Sequence, residues 1–398
     1  MYKYLLIGIC LILACNDETE TPILPIENFK IIDHGNTGTT KDLMLKFSQV
    51  DQEIQPTEYQ LIYSKKSLTE NEEMVKNLEE GQKFVIKSGD INYQKAVTKE
   101  FLDVEGHSIE EGVAYNFYIV SYNQNTGQVK LSESTVIAIQ DTPYYEVQTL
   151  GNISGTEALS LSNDAKYVYS PNNNGVSRMS IADGSVERVA DDIIFPLGGT
   201  FDKSGNFYIS SYSTGDIYKI DPSGNKEVYS SGHVGPAGLV FDSEGNLFVA
   251  NYDGSSIDKV DTDGNRTLFC SSSLLNGPDG VIFADGEMVV INFNDSRIMK
   301  INDQGKATFF ASLPGQITGY ITYTHGSFYA ASISLSKVFR IDQSRKVSEI
   351  VGSGAVVTLD GPGSWASLEK PNGIVASVTG DTLYVGNSSS IRMIIIHD

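Results

Sequence analysis

Cysteine, basic residues and long apolar runs are all scarce in this chain, and each scarcity removes a class of protein. Three cysteines occur in 398 residues, and two of them, Cys10 and Cys15, fall within the first fifteen positions. Cys270 is the one cysteine beyond position 15, so no disulfide framework can organise the rest of the chain. Lys and Arg number 29 against 50 Asp and Glu, a net charge of −21. Such a surface repels a phosphate backbone, which excludes nucleic acid as a partner. The apolar run Tyr4–Ala14 has eleven residues, too few to cross a bilayer as a helix. Catalytic signatures are missing too: neither an HExxH zinc helix, nor a phosphate-cradling glycine loop, nor a Ser-His-Asp order can be assembled.

What the short apolar run does suit is the central region of a signal peptide. Lys3 precedes it, and it closes on Ile12-Leu13-Ala14-Cys15. That ending resembles the bacterial lipobox: a branched apolar residue, a tolerant position, a small residue, then the cysteine that receives lipid. The resemblance implies a signal peptide over residues 1–15, lipidation at Cys15 and a membrane anchor in the bacterial cell envelope. The stretch NDETETPILPIEN that follows is acidic and rich in Thr and Pro. It has no core-forming pattern, so residues 16–27 read as a flexible tether. Its Asp17, Glu18 and Glu20 resemble the surface-export signal of Bacteroidetes lipoproteins, which implies the outer membrane and exposure at the cell surface.

Residues 28–142 carry strand-like runs between polar turns: DLMLKFSQ, TEYQLIYSK, QKFVIKS, VAYNFYIVSYN and STVIAIQ. Seven short strands in this span, these five among them, predict a β-sandwich. One stretch, Ile109 to Asn123, resembles the fibronectin type III pattern, with Ile109 six positions before Tyr115, Gly112 in the turn, and Ile119 and Ser121 at the inward positions of the next strand. Glu111 stands where that family has proline, and LTENEEMVKNLEEG, Leu68 to Gly81, reads as an inserted helical turn or two. The resemblance implies a tyrosine corner at Tyr115, its hydroxyl holding a nearby backbone group.

From about residue 150 a phrase of roughly forty residues recurs. Its clearest copies run Pro196–Tyr229, Pro236–Phe269 and Pro278–Phe310. The glycine of the leading Pro-x-Gly falls at Gly198, Gly238, Gly280 and Gly373, with Gly319 (after Thr318, no proline) in the same register and Ala158 in that of a weaker first copy. Six units, each of four short strands with Gly, Asn and Asp in the turns, predict a six-bladed β-propeller over residues 143–398. The chain is therefore expected to be all-β. Its last unit lacks a fourth strand, and Tyr144–Leu150 has no partner before the first unit. Docking that segment as the outer strand of blade 6 would close the ring.

Topology points to one face of this ring. The residue before each register glycine opens on the central mouth: Glu157, Leu197, Ala237, Asp279, Thr318 and Asn372. The ends of the second strands add Asn251, Asn292 and Asn387, and the rim adds Tyr212, Tyr252, Phe293 and Tyr320. Asn251, Asn292, Asn387, Tyr252 and Phe293 are the candidate ligand-binding residues. Two carboxylates and an amide, Glu157, Asp279 and Asn372, form a set of hard oxygen donors that suits Ca²⁺ or Mg²⁺. The competing reading is that these are turn-forming residues before a glycine. His233, in the loop entering blade 3, reads as solvated on the same face, and His325 sits in a turn on the opposite one.

The segment Asp360–Ile374, DGPGSWASLEKPNGI, is similar to the NHL-repeat phrase, with Leu368 in place of its phenylalanine. With the PAG and PDG units it resembles the six-bladed group that includes regucalcin, gluconolactonase and the streptogramin lyases. In the gluconolactonase-like members a Glu, an Asn and an Asp hold a divalent cation from this register, which implies that role for Glu157, Asn372 and Asp279. Here the aspartate precedes the asparagine and blade 5 intervenes. Two functions follow as expectations. One is an envelope lipoprotein whose mouth binds a ligand or protein partner. The other is a divalent-metal-dependent lactonase in which Asp279 or Glu157 activates water.

Overall fold

The computed structural model describes residues 24–33, 43–48, 55–68, 72–87, 95–110, 112–138, 144–172 and 174–397. The leader, Cys15, the tether up to residue 23 and Glu111 lie outside the described residues. The chain divides into two compact units, Met1–Thr142 and Pro143–Asp398.

The first unit has two antiparallel sheets. One contains Glu27–Asp33, Leu43–Ser48 and Lys95–Ala96; the other runs Phe84–Lys87, Glu58–Ser64, Ala114–Asn123, Gln128–Leu131, with Thr135–Ala138 also on the Ala114–Asn123 strand. Alternation puts Leu43, Leu45 and Phe47 of one sheet into the same core as Tyr59, Leu61, Tyr115 and Phe117 of the other. The residues between, Ile62, Tyr118 and Val120, point to the opposite side, where Leu68, Val75 and Leu78 cover them. The inserted segment, with its short helix Glu72–Lys76, thus serves as a lid over an otherwise wet sheet face. At the sheet end the backbone N–H of Glu110 donates to the Tyr115 hydroxyl at 3.0 Å.

The second unit is a closed ring of six antiparallel sheets, the arrangement of a propeller. Blades 1 to 5 each have four consecutive strands, with inner strands Ser160–Leu161, Pro196–Phe201, Pro236–Phe241, Pro278–Ala284 and Thr318–Thr324. Blade 6 is built from both ends of the unit: Ile374–Ala376, Thr382–Gly386 and Ser390–His397 pair in order, and Tyr144–Asn152 adds antiparallel to Ser390–His397. The strand exchange read from the sequence is therefore present. An extra two-residue strand, Gly361–Pro362, caps the free edge of Tyr144–Asn152, a feature the repeat pattern gives no hint of.

Two local devices explain why the phrase recurs. The register glycines face the neighbouring inner strand: a Cβ on Gly198 would stand 2.1 Å from the Ala237 carbonyl oxygen, on Gly238 2.1 Å from that of Asp279, and on Gly373 2.2 Å from that of Glu157. Only a missing side chain lets the strands close around the axis. The Asp-x-x-Gly-Asn turns are self-capped. Asp202, for example, accepts the backbone N–H groups of Ser204 and Asn206, each at 2.9 Å, while Gly205 supplies φ +85°. Asp221, Asp242 and Asp261 repeat the contact two and four residues on. Much of the acidity of the ring is turn chemistry.

Candidate functional site

The loops entering the inner strands converge on a cavity of about 420 Å³ at one end of the ring axis. Its floor is Glu157, Asp279, Asn372 and Tyr320; its wall is an arc of aromatic rings contributed by blades 2 to 4. The arc is continuous. Phe195 and Tyr212 have centroids 5.4 Å apart, Tyr212 and Tyr252 6.2 Å, and Tyr252 and Phe293 5.7 Å, the last two pairs edge to face. The Tyr252 hydroxyl is held by Asn294 Oδ1 at 2.8 Å, which fixes its ring against the wall. Leu197 and Ile333 complete the lining.

The floor brings the three sequence-predicted oxygen donors together. Asn372 Nδ2 donates to Glu157 Oε2 at 2.7 Å, while Asn372 Oδ1 has no hydrogen-bond partner. Burial pushes the Glu157 carboxyl up to about 7, against the lowering effect of the Asn372 bond. Asp279 is pushed up to about 7 as well, by burial first, with Tyr320 lowering it and the Glu157 charge raising it. The Tyr320 hydroxyl neighbours Asp279 but makes no hydrogen bond of ordinary geometry. Burial and these two carboxylates hold its ionisation well above the phenol range. Near neutral pH the floor therefore exchanges protons. Below that point it offers neutral acids that both donate and accept; above it, two facing anions. No group of three or more His, Cys, Asp or Glu side chains placed to hold a metal occurs among the described residues. A cation here would rest on two carboxylates, the Asn372 amide oxygen and solvent, a sparse set for an ion that takes six to eight oxygens.

Other expected site residues are placed differently. Asn251 and Asn292 are not presented to the cavity. Both are buried: Asn251 accepts from Val234 N–H and donates to Ser256 Oγ, and Asn292 donates to the Leu274 carbonyl and Asp295 Oδ1. Asparagine at the end of a second strand thus closes its own blade loop. Asn387 is fully buried and does not line the cavity, with neither side-chain atom hydrogen-bonded. Ala237 and Thr318 are buried in the ring, whereas Tyr252 and Phe293 do line the cavity.

His233 is not a solvated loop residue. Its ring is buried, with Nδ1 2.9 Å from Asp258 Oδ2 and Nε2 3.2 Å from Ser230 Oγ. Arg266 shares the same carboxylate oxygen at 3.2 Å. Burial raises the Asp258 pKa, but hydrogen bonds from His233, Asn251 and Arg266 outweigh it and hold the acid low. A Ser-His-Asp constellation therefore does assemble, contrary to the expectation from sequence. It lines neither the mouth nor the second axial cavity, which holds about 290 Å³ between the inner strands. It clamps the outer strand of blade 2 to the middle of blade 3. His325 lies in an exposed turn against the Thr379 carbonyl. The residue that sequence reading missed is Phe195; aligning the copies would have shown it in the slot that Gly235 and Gly277 occupy.

No protein-family model matches the chain, and no curated protein matches it. Solved structures do. An auxiliary nutrient binding protein from Bacteroides thetaiotaomicron VPI-5482 is 12% identical, the match covering 96% of this chain and 99% of that one at a TM-score of 0.57. A second auxiliary nutrient binding protein, from Bacteroides ovatus ATCC 8483, is 11% identical over 95% of this chain and 100% of its own, at 0.55. A gluconolactonase from Xanthomonas campestris is 14% identical over 64% of this chain and 90% of that chain, at 0.53. At these identities the likeness establishes a shared fold.

Proposed function

We propose that this chain is a lipid-anchored binding protein of the bacterial cell envelope whose ring captures a small, flat-faced, polyhydroxylated or similarly amphipathic ligand. The observation that carries the reading is the mouth itself: an arc of four aromatic rings above two acids that titrate near neutrality. Rings supply flat apolar contact, and buried acids supply directional hydrogen bonds to hydroxyl groups. A cavity of about 420 Å³ suits a ligand of one or two sugar rings. The two nutrient-binding neighbours, which align over nearly their whole length, support binding over turnover. Calorimetric titration with a panel of neutral mono- and disaccharides at pH 6 tests it. One class is expected to bind, with Tyr252→Ala and Phe293→Ala each weakening it about tenfold or more, roughly the 1.4 kcal/mol of one lost ring contact. Unchanged affinity in both variants, or no binding by any sugar, would overturn the reading.

The alternative, a divalent-metal-dependent lactonase, draws on the same floor. Glu157, Asp279 and the Asn372 amide oxygen would hold the ion, which would supply carbonyl polarisation. The free Asn372 Oδ1 favours it; the altered chain order of the ligands disfavours it.

The first unit is proposed to be a fibronectin type III-like spacer, on the strength of its Tyr115 corner and its two sheets around one core. Anchoring at Cys15 in the outer membrane, with the ring facing outward, rests on the Leu-Ala-Cys ending and the acidic tether. Fatty-acid labelling in cells is expected to mark the wild type and to be abolished in Cys15→Ser. Equal labelling of both would remove the anchor.

A further inference from the structure

In blades 2, 3 and 4 the loop into the inner strand has the same construction: a residue in the left-handed region, then Pro, then the residue before the register glycine. In blade 3 that first residue is Gly235 at φ +63° and in blade 4 it is Gly277 at φ +61°. In blade 2 it is Phe195, at φ +52°. All three carbonyls accept the same bond, from Tyr212, Tyr252 and Phe293 N–H at 3.0, 2.8 and 2.8 Å respectively. The blade imposes the conformation, so the residue must comply.

For glycine compliance is free; for phenylalanine it is not. The left-handed region crowds Cβ against the carbonyl, and a following proline further restricts its predecessor to extended backbone. Phe195 is the bulkiest apolar side chain in that region among the described residues, the others being alanine or polar. Burial does not compensate. The residue is 53% exposed, and among the described residues its one ring contact is the tilted one with Tyr212. In blades 3 and 4 a side chain at this position would have to displace its neighbour. A Cβ on Gly235 would come within 2.7 Å of Asp253 Oδ2, and on Gly277 within 2.5 Å of Asn294 Nδ2, whereas the matching position in blade 2 is the smaller Ser213. Phe195 also stands between two spaces, since together with Glu157 and Leu197 it lines both the mouth and a neighbouring cavity of about 210 Å³.

We propose that Phe195 is a ligand-contact and specificity residue, an aromatic wall held at the expense of ring stability, against which the flat face of a bound sugar-like ligand stacks. A costly conformation whose one internal return is the Tyr212 contact points to an external one. This rests on the binding reading above, and the test separates the two. The probe is 4-nitrophenyl β-D-glucopyranoside, neutral and carrying both a flat ring and a hydroxylated one, titrated at pH 6 into the full chain. Phe195→Gly is expected to melt about 2–6 °C higher than the wild type and to bind the probe at least tenfold more weakly, while Phe195→Tyr retains both wild-type values. A Phe195→Gly protein that melts lower would make the ring a packing residue and overturn the proposal. One that melts higher but binds equally well, while Tyr252→Ala binds weakly, would overturn it and leave the binding reading standing. Absence of binding of this probe by the wild type would overturn the proposal, and absence of binding by every sugar of the panel would remove the binding reading with it.

Discussion

Replacing Arg392 with alanine is expected to cost the ring about 3–5 kcal/mol, from the cavity and the carbonyl it orphans, and to lower its melting temperature by roughly 10 °C. Arg392 lies on the strand Ser390–His397 with its side chain fully buried, an arrangement tolerated only when the charge is paired. Nη1 donates to the Ser367 carbonyl at 2.9 Å, and Nη2 donates to Asp360 Oδ1. Asp360 in turn accepts from Thr149 Oγ1 at 2.9 Å and from Thr149 N–H at 3.3 Å. One guanidinium therefore fastens the last strand to the Asp360–Ser367 segment and, through Asp360, to the strand Tyr144–Asn152 that closes the circle. Burial drags the Arg392 pKa down while Asp360 restores part of it. The alanine variant leaves a cavity, an orphaned Ser367 carbonyl and a loosened closure. Arg392→Met, which keeps most of the volume, should lose less than half as much. Melts and urea titrations of both variants decide it: an Arg392→Ala protein within a degree of the wild type would show that the closure does not depend on this tie.

That tie also marks the limit of what could be read from residues alone. The ring was legible because its devices repeat. Gly198, Gly238, Gly280, Gly319 and Gly373 recur where neighbouring backbones approach, and Asp-Gly-Asn turns recur where hairpins reverse. The unpaired Tyr144–Leu150 segment was legible by subtraction. Single events leave no such trace. Nothing in the sequence around Arg392 marks it as buried until Asp360 is brought to it, and His233 reads as a loop histidine until Ser230 and Asp258 surround it. At the mouth the register pointed to Glu157, Asp279 and Asn372, and the three line one cavity because position before the glycine decides direction. The same logic misdirected Asn251 and Asn292. A strand-end asparagine can turn toward the axis or back onto its own loop, and the choice depends on partners such as Ser256 and Asp295 that periodicity does not specify.

The stability of the ring is expected to decline as pH rises toward and through 7, and Asp279→Asn is expected to remove roughly half of that decline, Glu157 keeping its own burial-driven share. Asp279 is raised from 3.8 to about 7 and Glu157 from 4.5 to about 7, burial being the main cause for each. A folded state that binds protons more tightly than the unfolded chain gains stability in full below the unfolded pKa, near 4. It loses that gain as pH climbs through the folded pKa, because two facing carboxylates must then be charged in a poorly hydrated mouth. At about 1.4 kcal/mol per pKa unit the Asp279 shift corresponds to an upper bound of about 4 kcal/mol. The two acids are coupled, so the pair and not either residue sets the midpoint. The readout is the difference in melting temperature between wild type and variant, since acids held low, such as Asp258, affect both proteins alike and only at acid pH. At pH 5 the two should melt together, with the variant if anything slightly lower. At pH 8 the variant should melt several degrees higher. Millimolar calcium then separates the readings of the floor. If a divalent ion relieves the facing charges, it lifts the wild type at pH 8 and leaves Asp279→Asn where it was. An equal response in both would put the ion elsewhere, and none in either would end the lactonase reading. Parallel pH profiles for the two proteins would show that these acids are not the proton-binding pair their burial implies.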